Sequence, residues 1–284
     1  MNTFKRQCIE LRKLDYTLPE IARITGRPKT SVHFHIRHLP LSARKKETII
    51  ASYRARILQI TAQRRGKSKR TFRKFSQWST DTVFVVSHFL FDGEIKRGCI
   101  YNNRNGKLIA RVKRSMDKIY DLEPKYYIDK STGVSRISYY NVELGIYIKK
   151  KAEELLQEID TLSLNLKREF VRSFFDDEGC MDFRPTENIR RVRGYQKNTA
   201  ILYLIKELLE HFSIDALIKQ PNEIVVVGKE NLVKFQKEIN FSPGVRINGN
   251  RSNSIWKQSL EKRLILRKAI ASYKPVGSNG VHRD

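Results

Sequence analysis

Apolar residues recur at helical spacing in three short runs at the start of the chain. Phe4, Cys8, Leu11 and Leu14 mark one face of a helix over 4–14. Thr17 is placed to cap a second helix over 18–25 that stops at Gly26, and a third covers 29–39, with Pro28 in its first turn and Pro40 closing it. Periodicity then gives way to charge. Between 43 and 78 basic residues accumulate against the lone acid Glu47 up to the caps at 79–81; 49–60 keeps a helical pattern, and the string RRGKSKR reads as an exposed linker. From residue 79 onward helical and alternating patterns mix, and the mixture is written twice.

In the first pass a helix covers 79–92, strands over 94–102 and 107–113 flank the turn NNRNG, a short helix follows Ser115, strands at 125–128 and 134–140 flank STG, and a long helix covers 142–162. The second pass has a helix over 166–178, strands at 180–184 and 188–195, a helix capped by Asn198, strands at 216–219 and 223–227, and a helix over 229–239. A basic helix over 254–274 and a frayed tail complete the chain. This order predicts an α+β fold of two similar αββαββα halves, 79–163 and 164–274, preceded by an all-α unit at 1–42 and a basic arm at 43–78, with the tail at 275–284.

The formal net charge of +26 makes a polyanion the expected partner. Nucleic acid comes first. A membrane surface is the rival, but no run of about 18 apolar residues exists and the N-terminus does not read as a signal peptide, so an intracellular location is expected, in cytoplasm, nucleoid or organelle. Cys8, Cys99 and Cys180 are scattered and odd in number, which excludes a disulfide framework and zinc spacing and leaves reduced structural thiols.

Each pass opens on an apolar helix that ends in an acid and a glycine: VVSHFLFDG at 85–93 and VRSFFDDEG at 171–179. Asp92 and Glu178 then stand at helix C-termini, against the negative end of the dipole, a placement that asks for a cation. Ser87 and Ser173 are small enough to let the two helices cross closely, and Gly93 and Gly179 are expected to end them in the left-handed conformation. His88 reads as a satisfied interfacial histidine, and Asp176 and Asp177 as structural or surface acids. Alternation in the strands at 107–113 and 188–195 puts Lys107, Arg111 and Lys113, and Arg191, Arg193 and Tyr195, on open faces that could meet base edges. Leu18, Ala22, Gly26 and Val32 fall where a helix-turn-helix needs its apolar, small, turn and anchor positions, which turns Lys29, Thr30, Ser31 and His33 outward for a major groove.

The paired strings, the repeated order after them, and the stretches RVRGYQKN and GKENLVKFQKEINF resemble the LAGLIDADG homing endonucleases over about residues 80–245. That resemblance implies a single-chain, pseudo-two-fold, intron-encoded type of enzyme whose saddle-shaped antiparallel sheets straddle double-stranded DNA. It implies site-specific cleavage of both strands with Mg²⁺ or Mn²⁺ held by Asp92 and Glu178, with the carbonyls of Gly93 and Gly179 as further ligands. Gln196 matches the family position that orders solvent near the scissile phosphate, Arg114 is its expected counterpart in the first half, and Arg246 is the expected basic residue from a later loop. Two other readings stand beside this one: a transcriptional regulator built on the same fold with a helix-turn-helix, and an intron maturase that binds structured RNA.

Overall fold

The computed structural model describes residues 3–64, 72–96, 98–120, 123–247 and 256–273, with backbone alone for 61–64. Most of the RRGKSKR linker, the tail at 275–284 and the first residues of the expected C-terminal helix lie outside the described residues. The chain divides after residue 69 into two compact units.

The first unit holds α1 (Thr3–Lys13), α2 (Leu18–Thr25), α3 (Lys29–Ile36) and α4 (Ala43–Arg64). Thr17 closes a capping box on α2: its backbone N–H donates to Glu20 Oε2 at 2.6 Å and its hydroxyl accepts from the Glu20 N–H. Gly26 then takes a left-handed φ of 66°, which only glycine adopts cheaply, and turns the chain into α3. Cys8, Ile21, Val32 and Ile36 form a small buried core, so Cys8 is a packing residue. The helix expected over 49–60 extends in both directions to become α4, 22 residues long.

The second unit is built in two passes. The first runs α5 (Thr80–Phe91), β1 (Gly93–Ile95), β2 (Cys99–Asn103), α6 (Gly106–Asp117), β3 (Lys125–Ile128), β4 (Ser135–Tyr139) and α7 (Val142–Glu158). After a 3₁₀ turn at Ile159–Thr161, the second runs α8 (Leu164–Asp177), β5 (Gly179–Arg184), β6 (Ile189–Tyr195), α9 (Thr199–Glu210), β7 (Leu217–Lys219), β8 (Glu223–Val227) and α10 (Lys229–Glu238), with α11 (Lys262–Ala271) appended. Each pass makes one antiparallel four-stranded sheet, in the orders β1-β2-β4-β3 and β5-β6-β8-β7. The αββαββα order is therefore repeated in space as in sequence.

One hydrophobic core runs through both halves. Its middle is the contact between α5 and α8. From Val83 to Phe89 every residue of α5 is buried, as expected of a helix surrounded by protein. Phe91 meets Phe170 and Phe174 edge-to-face across the contact, at 5.4 and 5.3 Å between ring centroids. Ser87 and Ser173, both fully buried, keep the crossing thin.

The first half departs from expectation between 94 and 117. The segment expected as one strand is a hairpin, β1 and β2, and the strand expected at 107–113 is helix α6. Asn105 belongs to a cap rather than to a hairpin turn, since its Oδ1 accepts the N–H of Lys107 at 3.0 Å. Leu108, Ile109, Val112 and Met116 then supply a helical stripe that outweighs the alternation of Leu108, Ala110 and Val112. Gly93 and Gly179 also differ from expectation. Neither is left-handed; both open strands, and a Cβ at either would lie 2.5 Å from the carbonyl oxygen one helical turn back, Phe89 O or Phe175 O. Glycine is required there by close approach of the strand to its own helix, not by φ.

Candidate metal centre and nucleic-acid interface

Equivalent backbone geometry delivers the two acids. Asp92 caps the C-terminus of α5 and Glu178 that of α8, and their amides donate the closing helical bonds to His88 O and Phe174 O at 3.1 and 2.8 Å. Both side chains line one broad groove, together with Asn103, Arg193, Arg246 and Lys262. Asp92 reaches solvent through that groove although protein surrounds most of its carboxyl, and Glu178 is half-buried. Burial by the surrounding protein, followed by the charge of Asp177 and for Asp92 that of Glu178, pushes each carboxyl up to about 7. The end of the two helices thus concentrates negative charge that the fold leaves largely uncompensated.

A buried lysine supplies part of the compensation. Lys262, the first residue of α11, places its ammonium under α8 and donates to the carbonyls of Asp176 at 2.8 Å, Gly179 at 2.6 Å and Phe175 at 3.3 Å. Two of those carbonyls belong to the last turn of α8 and the third opens β5, so Lys262 caps the helix and ties it to the following strand. Burial lowers its pKa, against the pull of Asp176, Cys180, Asp177 and Asp92.

Asp177 is held elsewhere. Its carboxylate is fully buried against His88, with Nδ1 2.6 Å from Oδ2, while the Tyr101 hydroxyl donates to Oδ1 at 2.9 Å and Asn103 Nδ2 donates to that hydroxyl at 3.0 Å. His88 feels burial first, which lowers its pKa, yet Asp177 carries it above its usual value. It is an interfacial histidine with a partner, as the sequence suggested. Asp176 accepts the Ser242 N–H at 2.9 Å through Oδ1, while Oδ2 is buried with no hydrogen bond, and burial pushes the carboxyl up to about 6.

Among the described residues no three His, Cys, Asp or Glu side chains converge on a ready-made metal cage. Two hard carboxylates on an open groove, each raised by like charge, fit a different ion: one that keeps water in its shell and takes ligands from a phosphate, as Mg²⁺ does. The donor set fits that group. The Gly179 carbonyl already accepts from Lys262, so it is shared with the ammonium.

Strand register settles which residues correspond. Gly93 pairs with Tyr101 and Gly179 with Gly194, so the residue two beyond each, Asn103 and Gln196, occupies the same place. Two residues further on, Asn105 and Asn198 cap α6 and α9 alike. Asn103, not Arg114, is therefore the counterpart of Gln196; Arg114 sits exposed on α6 and does not line the groove. Arg246 does line it, paired through its backbone with Glu261. Sequence reasoning missed Asn103 and Lys262, the first because α6 was read as a strand and the second because nothing marks one lysine in a basic segment.

The expected reading residues divide in the same way. Arg191, Arg193 and Tyr195 lie on the open face of β6, opposite the face that buries Val192 and Gly194. Lys107, Arg111 and Lys113 are on α6 and face no groove as strand residues: Arg111 pairs with Glu169 at 2.8 Å and stacks 3.8 Å over Phe84, and Lys113 pairs with Asp117 and Glu123. In the first half the open sheet face instead carries Asn102, Arg136 and Tyr127. In the first unit Lys29, Thr30, Ser31 and His33 are all exposed on α3, while Val32 and Ile36 face its core.

Residues 165–240 match the family model of the LAGLIDADG-like domain. No curated protein matches the chain. Among solved structures, the homing endonuclease I-DmoI in complex with DNA and Mn aligns with 14% identity and a TM-score of 0.43, over 56% of this chain and 96% of its own. Full-length DUF199/WhiA from Thermatoga maritima aligns with 13% identity and a TM-score of 0.46, over 72% of this chain and 65% of its own. The N-terminal LAGLIDADG domain of DUF199/WhiA aligns with 15% identity and a TM-score of 0.41, over 60% and 88%.

Proposed function

We propose that the protein is a metal-dependent, site-specific endonuclease of double-stranded DNA, since residues 165–240 match the model of the LAGLIDADG-like domain and the residues before them repeat its element order. The observation that carries the reading is the pairing of Asp92 and Glu178 at equivalent helix ends on one groove, each raised to about 7 by burial and by neighbouring carboxylates. A binding protein gains nothing from that repulsion, whereas a site for hard cations depends on it.

Asp92 and Glu178 would hold divalent ions, Mg²⁺ or Mn²⁺, one beside each helix end. Bound there, such ions supply Lewis-acid stabilisation of charge on a scissile phosphate in each strand. Lys262 steadies the end of α8 and offsets part of the acid charge. Gln196, in the place that Asn103 holds in the first half, would help to orient solvent or a phosphate oxygen, whereas Asn103 is engaged by the Tyr101 hydroxyl and the Asn105 N–H. Arg191, Arg193 and Tyr195 in one half, and Asn102, Arg136 and Tyr127 in the other, present donors toward a duplex laid along the sheets. Lys29, Thr30, Ser31 and His33 would add contacts from the first unit, and the basic residues of 43–78 would track phosphates.

Incubation of the full chain with a random duplex library and Mg²⁺, followed by sequencing of the cut ends, tests this reading. Cleavage of both strands at a shared sequence, abolished by EDTA, is expected. Sequence-selective binding with no cutting in Mg²⁺ or Mn²⁺ would instead make the protein a DNA-binding regulator.

A further inference from the structure

The open face of the second sheet carries a cluster that the first sheet lacks. Asp182 on β5 stands opposite Arg191 on β6, with Arg193 opposite Cys180 and Glu223 on β8 opposite Tyr195. Three guanidiniums converge on Asp182. Arg191 reaches Oδ2 through Nε and Nη2, both at 2.9 Å, Arg184 reaches Oδ1 through Nε at 3.0 Å, and Arg193 Nη1 lies 3.5 Å from Oδ2. Arg193 is fixed further by Glu223, to which its Nε donates, and by Tyr195, whose ring its guanidinium overlies at 4.9 Å. Asp182 is 11% exposed, whereas the arginines keep 21–36% of their side chains open.

This geometry gives each group a distinct part. A carboxylate has two oxygens and a guanidinium five donors, so three arginines cannot spend their donors on Asp182 and Glu223. Arg191 keeps Nη1 and Arg193 keeps Nη2 clear of these contacts, whereas Arg184 is engaged at all three nitrogens, by Asp182 through Nε and Nη2 and by Glu187 through Nη1. A free arginine on a basic surface finds any phosphate; a tethered one has lost that freedom and can meet only what lies above its strand. The base edge that matches a guanidinium fork is the O6 and N7 pair of guanine in the major groove. The counterparts in the first half carry no such cluster: strand register sets Ile100 in the place of Arg193, Asn102 in that of Tyr195 and Arg136 in that of Glu223, so one guanidinium stands there with Glu94 at 3.9 Å.

Resting on the proposed DNA-binding role, we propose that Asp182 is a positioning residue for sequence readout, holding Arg191 and Arg193 to contact guanines, so that the recognised duplex has one guanine-rich half under β5 and β6 and a half of different composition under the first sheet.

The test is selection of bound duplexes from a random library by the full chain in EDTA, read by sequencing. Guanine should be enriched at two or more positions confined to one half of the site. D182N should lose about tenfold of that discrimination with affinity for non-specific duplex retained, an outcome a merely structural role would not give. R193K keeps the charge but not the fork and should lose guanine preference at one position, which protects the test if D182N folds poorly. A selected site without guanine bias, or a bias intact in both variants, would overturn the inference while leaving DNA binding standing. Failure of the wild type to bind any duplex would overturn both.

Discussion

At the scale of single residues, the acids carry a measurable cost. Asp92 and Glu178 titrate near 7 because burial and adjacent carboxylates favour their protonated forms. A carboxyl whose folded-state value is raised binds protons more tightly in the native protein, so stability is greatest below the ordinary carboxylate range and falls as pH rises from about 4 to 7. In metal-free buffer the melting temperature should therefore decline across that window. D92N should flatten the decline and melt higher at pH 8; screening in the open groove holds the gain to about 1 kcal/mol, or roughly 2–4 °C. Mg²⁺ should raise the wild-type melting temperature at pH 8 and hardly at pH 5, which differential scanning calorimetry would check; a wild type that gains stability between pH 5 and 8 would refute the electrostatic account. The two acids were legible because an acid at a helix C-terminus contradicts the dipole and does so twice. Asn103 was not, since its place is defined only by strand register, which the misread segment at 107–113 obscured.

At the scale of elements, the contact between α5 and α8 is symmetric in backbone and asymmetric in chemistry. The fourth residue of one nine-residue string, counted from Val85 or Val171, meets the seventh of the other on both sides of the pseudo-dyad. On one side this is His88 with Asp177, fully buried, and on the other Phe174 with Phe91. Removing one member of a buried ion pair strands the other, at a cost of about 3–5 kcal/mol. H88A should destabilise by that order in urea unfolding, whereas H88F with D177F, which copies the aromatic side, should recover most of the loss. Equal destabilisation by the single and double variants would show that the pairing is not what holds the helices. The element order was readable from apolar periodicity for α5, α8, β3 to β8 and the capped helices α2 and α9, because caps and alternation agreed there. It failed at α6, where a residue pair compatible with a hairpin turn proved to be a cap, and where a stripe broad enough for a helix includes an alternating subset.

At the scale of the whole molecule, the excess of 26 positive charges favours a polyanionic partner, which on the proposed reading is a DNA duplex. Duplex affinity should fall steeply with salt, with a log–log slope of about −5 or steeper if six or more phosphates are neutralised. R193K should leave that slope almost unchanged, since it keeps the charge; fluorescence anisotropy between 50 and 300 mM salt, taken as rough working limits, would measure both, and a shallow slope would remove the basic surface from the binding account. The tandem architecture itself means one chain presents two similar but unequal faces, with three arginines gathered on one carboxylate in one and a single Arg136 beside Asn102 and Tyr127 in the other. The claim on which the functional reading depends is that the two helix ends act as a pair of metal-holding acids. Strand-resolved cleavage of an end-labelled selected duplex by D92N and E178Q tests it most directly: each variant should cut at least about 100-fold more slowly in Mg²⁺ with duplex affinity preserved, and undiminished cutting by either one would contradict it.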